Sequence, residues 1–262
     1  MITSLIILFS AFVLALGTED DLNPLKSTTG GLALRNQFPY MVSIEREWMV
    51  YTSHVCGGTI ISHTHVLTAS HCRRAYGTYI VVAGIQHLEE ITDETQTKRV
   101  AEFISHPDFK DEETLTGHDI AIVILESPFT WSKAVQPVYL PRPEEEFTGM
   151  AVLSGWGEGE QGYTLSLRYA SKKLISLTEC AAILNTVGKT TNVLDEKNIC
   201  TSGPRSQVSC IRDSGSALVK NGVLVGVVSR GILPCGQQNA PTVYTRSSSL
   251  VEWIQSHTND LP

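Results

Sequence analysis

The sequence predicts an all-β protein with a helix near its C-terminal end. Three observations support this fold class: short runs rich in β-branched residues, turn residues between these runs, and a helical pattern after residue 247. The clearest turn is Asn221-Gly222, which separates two apolar runs and predicts a β-hairpin with a type I′ turn. The predicted strands include residues 41–44, 78–83, 120–125, 217–220 and 223–228.

Two segments have helical patterning, at residues 178–186 and 247–257. In the second segment Leu250, Val251, Trp253 and Ile254 form one apolar face. The serines that precede this face are candidate N-caps, because a serine hydroxyl can accept from the first free N–H groups of a helix. The pattern therefore predicts an amphipathic helix that packs against the rest of the protein.

Composition excludes some classes of function. The chain has 262 residues, of which 42% are hydrophobic, so it can bury a full core as one or two small domains. The net charge is −7 and only 20 residues are Lys or Arg, which argues against an extended basic surface for nucleic acid. We expect no nucleic-acid partner and no cofactor.

The N-terminal segment has the character of a secretion signal. Residues 1–17 are almost wholly apolar, but the run from Leu5 to Leu16 is too short to span a bilayer. Ala15-Leu16-Gly17 supplies small residues for a signal peptidase. We predict a signal peptide over residues 1–17 and a secreted, extracellular protein, with an uncleaved anchor as the alternative. No other segment reads as a membrane span, so we expect no membrane partner.

Three separate motifs carry the chemistry of the chain. Residues 67–72 read Leu-Thr-Ala-Ser-His-Cys, Asp119 precedes an apolar run, and residues 213–215 read Asp-Ser-Gly. Asp-Ser-Gly alone is also an ordinary turn. Histidine, aspartate and serine nevertheless follow each other in the order used by the chymotrypsin-like serine proteases. Through these motifs the sequence resembles that family, which includes trypsin, chymotrypsin and elastase, over roughly residues 27–258.

The resemblance implies a fold and a catalytic triad. The expected fold is two antiparallel six-stranded β-barrels with a C-terminal α-helix, and the crossover between the barrels is expected at residues 137–147. Ser214 would be the nucleophile, His71 the base that takes its proton, and Asp119 the group that orients His71. Ser229 would donate a hydrogen bond to Asp119. The alternative for Asp119 is an aspartate that caps a strand, and the alternative for Ser229 is an ordinary edge-strand serine.

Two positions near the predicted nucleophile depart from the family. The backbone N–H groups of Arg212 and Ser214 would form the oxyanion hole, but the family has glycine where this chain has Arg212. Arginine retains the N–H, although its Cβ restricts the backbone conformations that glycine allows. Arg230 stands where the family has a tryptophan that contacts extended substrate. A side chain that simply points to solvent is the alternative for Arg230.

Six cysteines fit a secreted protein, because an oxidising compartment favours disulfides. A zinc site is not indicated, because the chain has no Cys-x-x-Cys pair. Six cysteines allow about fifteen pairings, between which the residues alone do not choose. The resemblance implies the disulfides Cys56–Cys72, Cys180–Cys200 and Cys210–Cys235.

The resemblance also implies activation by cleavage. Residues 18–26 would be an activation propeptide and residues 27–262 the protease domain. Cleavage after Lys26 would free the amino group of Ser27, which would pair with Asp213. Ser27 stands where the family has isoleucine. The alternative is that the residues around position 27 form a disordered tail.

The predicted substrate pocket is mostly apolar. Trypsin-like members of the family have an aspartate at the position of Val208, because a buried basic side chain needs a counter-charge. Thr242 stands where the family usually has glycine and should narrow the pocket, so the resemblance implies an elastase-like preference for cleavage after Ala, Val or Leu, with a chymotrypsin-like preference as the alternative. The predicted pocket residues are Val208, Ser209, Ser229, Gly231 and Thr242.

We expect no metal ion in this protein. In the loop at residues 85–96, Ile85 stands where the calcium loop of the family has a glutamate ligand. The acidic residues of the loop then indicate a solvated acidic face.

Taken together, these features predict a secreted serine endopeptidase that is made as a zymogen and works through an acyl-enzyme. The alternative is a catalytically weak or inactive protease homologue that acts as a binding or regulatory protein. Expected partners are protein or peptide substrates, protein protease inhibitors and an activating protease. We expect a monomer.

Overall fold

The predicted double barrel is confirmed. The computed structural model describes residues 31–110, 117–157, 165–187, 194–202, 213–231, 241–258 and 260–261. In these residues two closed antiparallel barrels of six strands follow each other along the chain, with a short helix after the second barrel. A two-residue strand, β1 (Gly31–Leu32), precedes both barrels.

The first barrel is formed by the N-terminal half of the chain. Its strands are β2 (Met41–Trp48), β3 (Tyr51–Ile60), β4 (His65–Thr68), β5 (Thr78–Ala83), β6 (Gln96–Ser105) and β7 (Ala121–Leu125). The strand order is β2-β3-β4-β7-β6-β5, and pairing of β2 with β5 closes the barrel. Side chains alternate between the two faces of each strand, which places Val42, Ile44, Val66 and Val81 in the fully buried interior.

The second barrel is formed by the C-terminal half. Its strands are β8 (Met150–Gly155), β9 (Arg168–Ile175), β10 (Asn198–Ser202), β11 (Ala217–Lys220), β12 (Val223–Arg230) and β13 (Thr242–Arg246). The order is β9-β10-β13-β12-β11-β8, and pairing of β8 with β9 closes the ring. Strand β1 adds to the outside of β9, so the beginning of the described chain is attached to the second barrel.

The Asn221-Gly222 turn joins β11 to β12 as predicted. Asn221 has φ of 51° and Gly222 has φ of 80°, which are the two positive values that a type I′ turn requires. The short loop fixes the register of β11 and β12, and β11 follows directly from the Asp213-Ser214-Gly215 segment.

One predicted helix is confirmed and the other is shorter than predicted. Helix α1 (Leu177–Val187) includes the whole predicted segment. Helix α2 spans only Val251–Ser256, because residues 247–249 form a 3₁₀ turn. The serines do not cap α2: Ser247 Oγ donates to the carbonyl of Leu224 at 2.7 Å, and Ser248 Oγ donates to the carbonyl of Glu145 at 2.8 Å. The predicted apolar face is correct, since Leu250, Val251 and Ile254 are buried.

Two of the expected disulfides are formed, Cys56–Cys72 and Cys180–Cys200. The first connects β3 to the turn after β4, and the second connects α1 to β10. The expected Cys210–Cys235 pair lies outside the described residues. Among the described residues, no helix is long and apolar enough to cross a bilayer.

The acidic loop at residues 85–96 is solvated at Glu89 and Asp93, which are exposed, whereas Glu90 and Glu94 are partly buried and make specific contacts. Glu90 accepts hydrogen bonds from the backbone N–H groups of Gln86 at 2.9 Å and His87 at 3.3 Å, and it pairs with Arg35. Arg35 also pairs with Glu94 at 3.4 Å. These contacts, with the backbone bond from Gln86 first, lower the pKa of the Glu90 carboxyl group. Glu90 and Glu94 therefore fasten the loop to the segment before β2.

Candidate active site

His71 and Asp119 meet beyond the ends of two paired strands of the first barrel. Strands β4 and β7 are antiparallel, with Thr68 opposite Ala121. The chain leaves β4 into a 3₁₀ turn, Ser70–Cys72, which carries His71, and it enters β7 directly after the segment that carries Asp119. The end of one strand and the beginning of the other lie side by side, so two residues 48 positions apart become neighbours.

Two further contacts hold the turn that carries His71. Ser70 Oγ donates a hydrogen bond to the carbonyl of Ile120 at 2.5 Å. The Cys56–Cys72 disulfide attaches the other side of the turn to β3. The turn is therefore fastened to strands on either side of it, which limits how far the imidazole can move.

Both carboxylate oxygens of Asp119 accept hydrogen bonds. Oδ2 accepts from His71 Nδ1 at 2.6 Å and from Ser229 Oγ at 2.6 Å, and Oδ1 accepts from the backbone N–H of His71 at 3.0 Å. The main-chain carbonyl of Asp119 accepts from Thr245 Oγ1 at 2.9 Å. The bond expected between Ser229 and Asp119 is thus present. Because Ser229 and Thr245 lie on β12 and β13, Asp119 links the two barrels.

The carboxylate of Asp119 remains ionised although it is buried. Burial has the largest single effect on the pKa of this carboxyl group, and it favours the neutral acid. The hydrogen bonds from His71 and Ser229 and the charge of His71 act in the opposite direction and outweigh it, so the pKa of the Asp119 carboxyl lies below its usual range. With an exposed fraction of only 4%, Asp119 is a fixed negative charge under the imidazole.

The turn that contains Ser214 lies where the barrels meet. The carbonyl of Ser214 accepts from the N–H of Gly57 on β3 at 2.9 Å, and the N–H of Gly215 donates to the carbonyl of Val228 on β12 at 2.8 Å. The N–H of Ser216 closes the turn on the carbonyl of Asp213 at 2.9 Å. The N–H of Ser214 itself makes no hydrogen bond within the described part of the chain. A free N–H at this point is what an oxyanion hole requires.

Gly215 is required by the shape of this turn. Its φ is +79°, a conformation that residues with a Cβ rarely adopt. A Cβ on Gly215 would lie 2.1 Å from Thr68 Oγ1 and 2.4 Å from the carbonyl oxygen of Gly57. The glycine therefore allows the Ser214 turn to pack directly against the first barrel.

Asp213 points into the second barrel, where sequence reasoning missed a neighbour. Its Oδ1 accepts from the backbone N–H of Gly157 at 2.9 Å, and a Cβ on Gly157 would lie 2.2 Å from its carboxyl carbon. Lys172, on β9, is buried. Burial lowers the pKa of its ammonium to about 8, and the negative charge of Asp213 opposes this shift. Neither Lys172 nor Lys173 was singled out from the sequence. Strand alternation was the available signal, since it sends one of two adjacent lysines inward.

The structure places only part of the predicted substrate pocket. Thr242 is 2% exposed and Ser229 is 7% exposed, whereas Gly231 lies at the surface. The remaining predicted site residues, Ser27, Val208, Ser209 and Arg212, lie outside the described residues. Arg230 is half-buried and has an interaction partner.

One described group of side chains has donor atoms that could hold a metal ion. His106, Asp108 and His118 each offer a ligand atom within 4.8 Å of the others. The rings of His106 and His118 stack at 4.7 Å between centroids, and His106 Nδ1 accepts from the N–H of Asp108 at 3.2 Å. A second group, Cys56, His71 and Cys72, is not a metal site because its two cysteines form a disulfide.

Two six-stranded barrels, with a histidine, an aspartate and a serine on the segments between them, define a chymotrypsin-like serine protease. The comparisons with known proteins give the family. The family model described as Trypsin matches residues 29–254, and the chain belongs to this family of serine-type endopeptidases.

Curated relatives and a solved structure agree with this assignment. The chain is 30% identical to kallikrein-1 of Mus musculus over 264 residues, covering 95% of this chain and 96% of that protein. It is 29% identical to glandular kallikrein of Sus scrofa over 243 residues, covering 87% and 94% respectively. The structure of neuropsin, a serine protease expressed in the limbic system of mouse brain, superposes with a TM-score of 0.76 at 27% identity, over 88% of this chain and 99% of that one.

Proposed function

We propose that this protein is a secreted endopeptidase in which Ser214, His71 and Asp119 form a catalytic triad. The observation that carries the proposal is the double hydrogen bond from His71 to Asp119, at 2.6 Å from Nδ1 and 3.0 Å from the backbone N–H. An ionised Asp119 keeps the proton of the neutral imidazole on Nδ1, so the lone pair is on Nε2. His71 can then act as a base only through Nε2.

The proposed reaction proceeds through an acyl-enzyme. Nε2 of His71 takes the proton of Ser214 Oγ as this oxygen attacks the substrate carbonyl carbon. The resulting oxyanion is stabilised by the N–H groups of Ser214 and Arg212. His71 then gives its proton to the leaving amine, and water releases the acyl group by the same steps with the protons moving through His71 again. Asp119 stabilises the imidazolium and stays ionised throughout, supported by Ser229.

The proposed specificity is for Ala, Val or Leu before the scissile bond. Val208 offers no counter-charge to a buried basic side chain. Thr242 contributes a branched side chain and is buried, which supports a narrow pocket. Each additional methylene that fits contributes only about 1–3 kcal/mol, so discrimination among small aliphatic residues is loose.

Synthesis as a secreted zymogen belongs to the same proposal. The apolar residues 1–17 are the signal peptide, residues 18–26 the activation propeptide, and cleavage after Lys26 by another protease gives the active form. The two disulfides are compatible with an extracellular protein. The mature protein is a monomer that acts on protein or peptide substrates and is subject to protein inhibitors.

Covalent labelling by a fluorophosphonate tests the proposed function. The secreted protein is treated with trypsin, the trypsin is removed, and the labelled residue is identified by mass spectrometry. We expect labelling at Ser214, no labelling of Ser214→Ala, and unchanged labelling of Ser256→Ala, which removes an exposed hydroxyl on α2. An unlabelled wild-type protein with both described disulfides intact would contradict the proposal.

A further inference from the structure

The end of the β2–β3 hairpin presents a run of apolar side chains to solvent. Trp48 lies opposite Tyr51, and the loop between them consists of Met49 and Val50. The exposed fractions are 40% for Trp48, 85% for Met49, 87% for Val50 and 73% for Tyr51. Exposed apolar residues that are scattered singly are ordinary, but a continuous exposed run at one turn is typical of a surface that contacts a partner.

This loop carries a methionine at a position that favours glycine. Met49 has φ of 55°, whereas Val50 does not have a positive φ. Two-residue hairpin loops usually have Gly, Asn or Asp where φ is positive, because a Cβ disfavours this conformation. The loop therefore accepts a conformational cost and gains an exposed methionine, so local stability does not explain the residue.

Tyr76 extends the apolar surface towards the turn that carries His71. The rings of Trp48 and Tyr76 lie 5.7 Å apart between centroids, and Tyr76 is 70% exposed. Gly77 has φ of +98°, and a Cβ there would lie 2.6 Å from the carbonyl oxygen of Glu47. The glycine thus lets the loop after His71 pack directly against β2. We call the following exposed side chains the hairpin patch: Trp48, Met49, Val50, Tyr51 and Tyr76.

Two arginines give the surroundings of the hairpin patch a positive charge. Arg73 and Arg74 follow the His71 turn and are exposed. Arg74 donates to the carbonyl of His71 at 2.6 Å, and neither arginine forms an ion pair with a described residue. The acidic residue that precedes the patch, Glu47, is already paired with Arg99 at 3.1 Å. This surface therefore complements an apolar segment that carries acidic residues.

The hairpin patch lies along β3 from the proposed catalytic site. The N–H of Gly57 on β3 donates to the carbonyl of Ser214, and Tyr51 begins the same strand. A strand advances about 3.3 Å per residue, so the patch is about 20 Å from the Ser214 turn. Because the His71 imidazole gives its proton to the leaving amine, the peptide that follows the scissile bond lies on the side of His71, which is also the side of Tyr76.

We propose that the hairpin patch is a second substrate-binding surface, which takes an apolar and acidic segment of a protein substrate at about six to ten residues after the scissile bond. This inference rests on the proposed function, because it concerns the substrate of the same site. Shorter substrates do not reach the patch. Binding there keeps the scissile bond of a long substrate close to Ser214, so the patch lowers KM for long substrates and leaves short ones unaffected.

The experiment compares substrates that are identical up to the scissile bond. One is a short amide with a chromophore as its leaving group. The others are quenched fluorescent peptides that continue for about twelve residues after the scissile bond, enough to reach the patch. In the distal half of this extension, one peptide carries Leu, Phe, Asp and Glu, the second has Lys in place of Asp and Glu, and the third has only Gly, Ser and Asn.

Three variants are compared with the cleaved wild-type protein. The double variant Met49→Gly/Val50→Ser removes the apolar end of the hairpin and places glycine where positive φ favours it, so the turn is retained. Arg73→Gln removes one free charge. Ile91→Ser is the matched control, because Ile91 is an apolar residue with an exposed fraction of 90% outside the patch. Urea unfolding establishes that each variant is folded.

We expect the wild type to cleave the acidic apolar peptide with kcat/KM about tenfold above that of the other two long peptides, mainly through a lower KM. Met49→Gly/Val50→Ser should reduce this advantage to about twofold or less. Arg73→Gln should reduce the discrimination between the acidic and the lysine peptide. Ile91→Ser should behave as the wild type, and all four proteins should cleave the short amide equally.

Equal kcat/KM of the wild type for the three long peptides would overturn the inference, and so would a double variant that keeps the full preference. A wild type that neither cleaves the short amide nor reacts at Ser214 would instead contradict the proposed function. Fluorescence anisotropy with the acidic apolar peptide then still decides the inference, because equal affinities of wild type and double variant would overturn it. Adsorption to phosphatidylserine vesicles without any preference among the peptides would assign the patch to a membrane and would also overturn it.

Discussion

At the scale of single residues, Asp119 is the member of the proposed triad whose carboxylate accepts three hydrogen bonds. It fixes the tautomer of His71 and stabilises the imidazolium that forms during the reaction. In Asp119→Asn we expect kcat for a peptide ester to fall by about 10⁴-fold with little change in KM, because an amide in this position favours the wrong tautomer. Steady-state kinetics measures both constants.

Ser229→Ala is the matched control for that substitution. It removes one hydrogen bond to Asp119 but leaves the carboxylate, so we expect kcat to fall by only about tenfold. Equal losses for Asp119→Asn and Ser229→Ala would contradict the role assigned to the carboxylate.

Thr242 is the residue at which the proposed specificity can be tested. Its side chain is buried, and in the proposed pocket it stands where the family has glycine. We expect Thr242→Gly to widen the pocket, so that kcat/KM for substrates with Phe before the scissile bond rises relative to Ala by about tenfold or more. A peptide library profiled with both proteins measures this ratio. A wild-type profile led by Arg or Lys would show that the pocket assignment is wrong.

At the scale of secondary-structure elements, the β11–β12 hairpin tests how much a single turn contributes to the barrel. Gly222 has φ of +80°, and a Cβ on it would find only Tyr139 at 3.8 Å, so the effect of a side chain there is conformational and not steric. We expect Gly222→Ala to lower the free energy of unfolding by about 1–2 kcal/mol. Gly31→Ala, at a glycine without positive φ and with similar space, should change it by less than about 0.5 kcal/mol. Urea unfolding compares the two variants, and equal losses would contradict this interpretation of the turn.

Elements that depend on local chemistry were predictable from the sequence. The Asn221-Gly222 turn and helix α1 lie where the sequence predicts them, because a turn type and an apolar period are properties of adjacent residues. The start of α2 was not predictable. Ser247 and Ser248 use their hydroxyl groups on the carbonyls of Leu224 and Glu145, which are distant in sequence, and therefore do not cap the helix.

The candidate site shows the same division. The motifs around His71, Asp119 and Ser214 were recognisable because they follow each other in the order that the chymotrypsin-like proteases use, although Asp213-Ser214-Gly215 alone is also an ordinary turn. The inward position of Lys172 depends on the register between β8 and β9, and the bond from Thr245 to the carbonyl of Asp119 depends on how the barrels pack. Neither contact leaves a local pattern, so the sequence alone does not predict them.

At the scale of the whole molecule, the candidate site and the interface between the barrels are the same structure. The Ser214 turn bonds to Gly57 in the first barrel and to Val228 in the second. Asp119 lies just before β7 of the first barrel. Its carboxylate accepts a hydrogen bond from Ser229 and its main-chain carbonyl accepts one from Thr245, both of which belong to the second barrel. Separation of the barrels would break these bonds together, so loss of the fold at this interface and loss of the site should occur in one transition.

Acid should weaken this interface through Asp119. The pKa of its carboxyl is lower in the folded protein than in the unfolded chain, so its stabilisation is present above an unfolded pKa of about 3.9 and is lost as the pH falls through the folded value. Asp119→Asn resembles the protonated acid at every pH. We expect this variant to be less stable than the wild type at pH 6, by about 1–3 kcal/mol.

The difference in the free energy of unfolding between the wild type and Asp119→Asn should decrease below pH 4 and disappear as the carboxyl of the wild type becomes fully protonated. Urea unfolding of both proteins at a series of pH values from 6 to about 2.5 gives the two curves. Ser229→Ala, which keeps the carboxylate and loses one of its donors, should lie between them at pH 6 and show a smaller dependence on pH than the wild type. Parallel curves for wild type and Asp119→Asn would mean that the charge of Asp119 does not hold the barrels together, and that the hydrogen bonds through Thr245 and the Ser214 turn suffice.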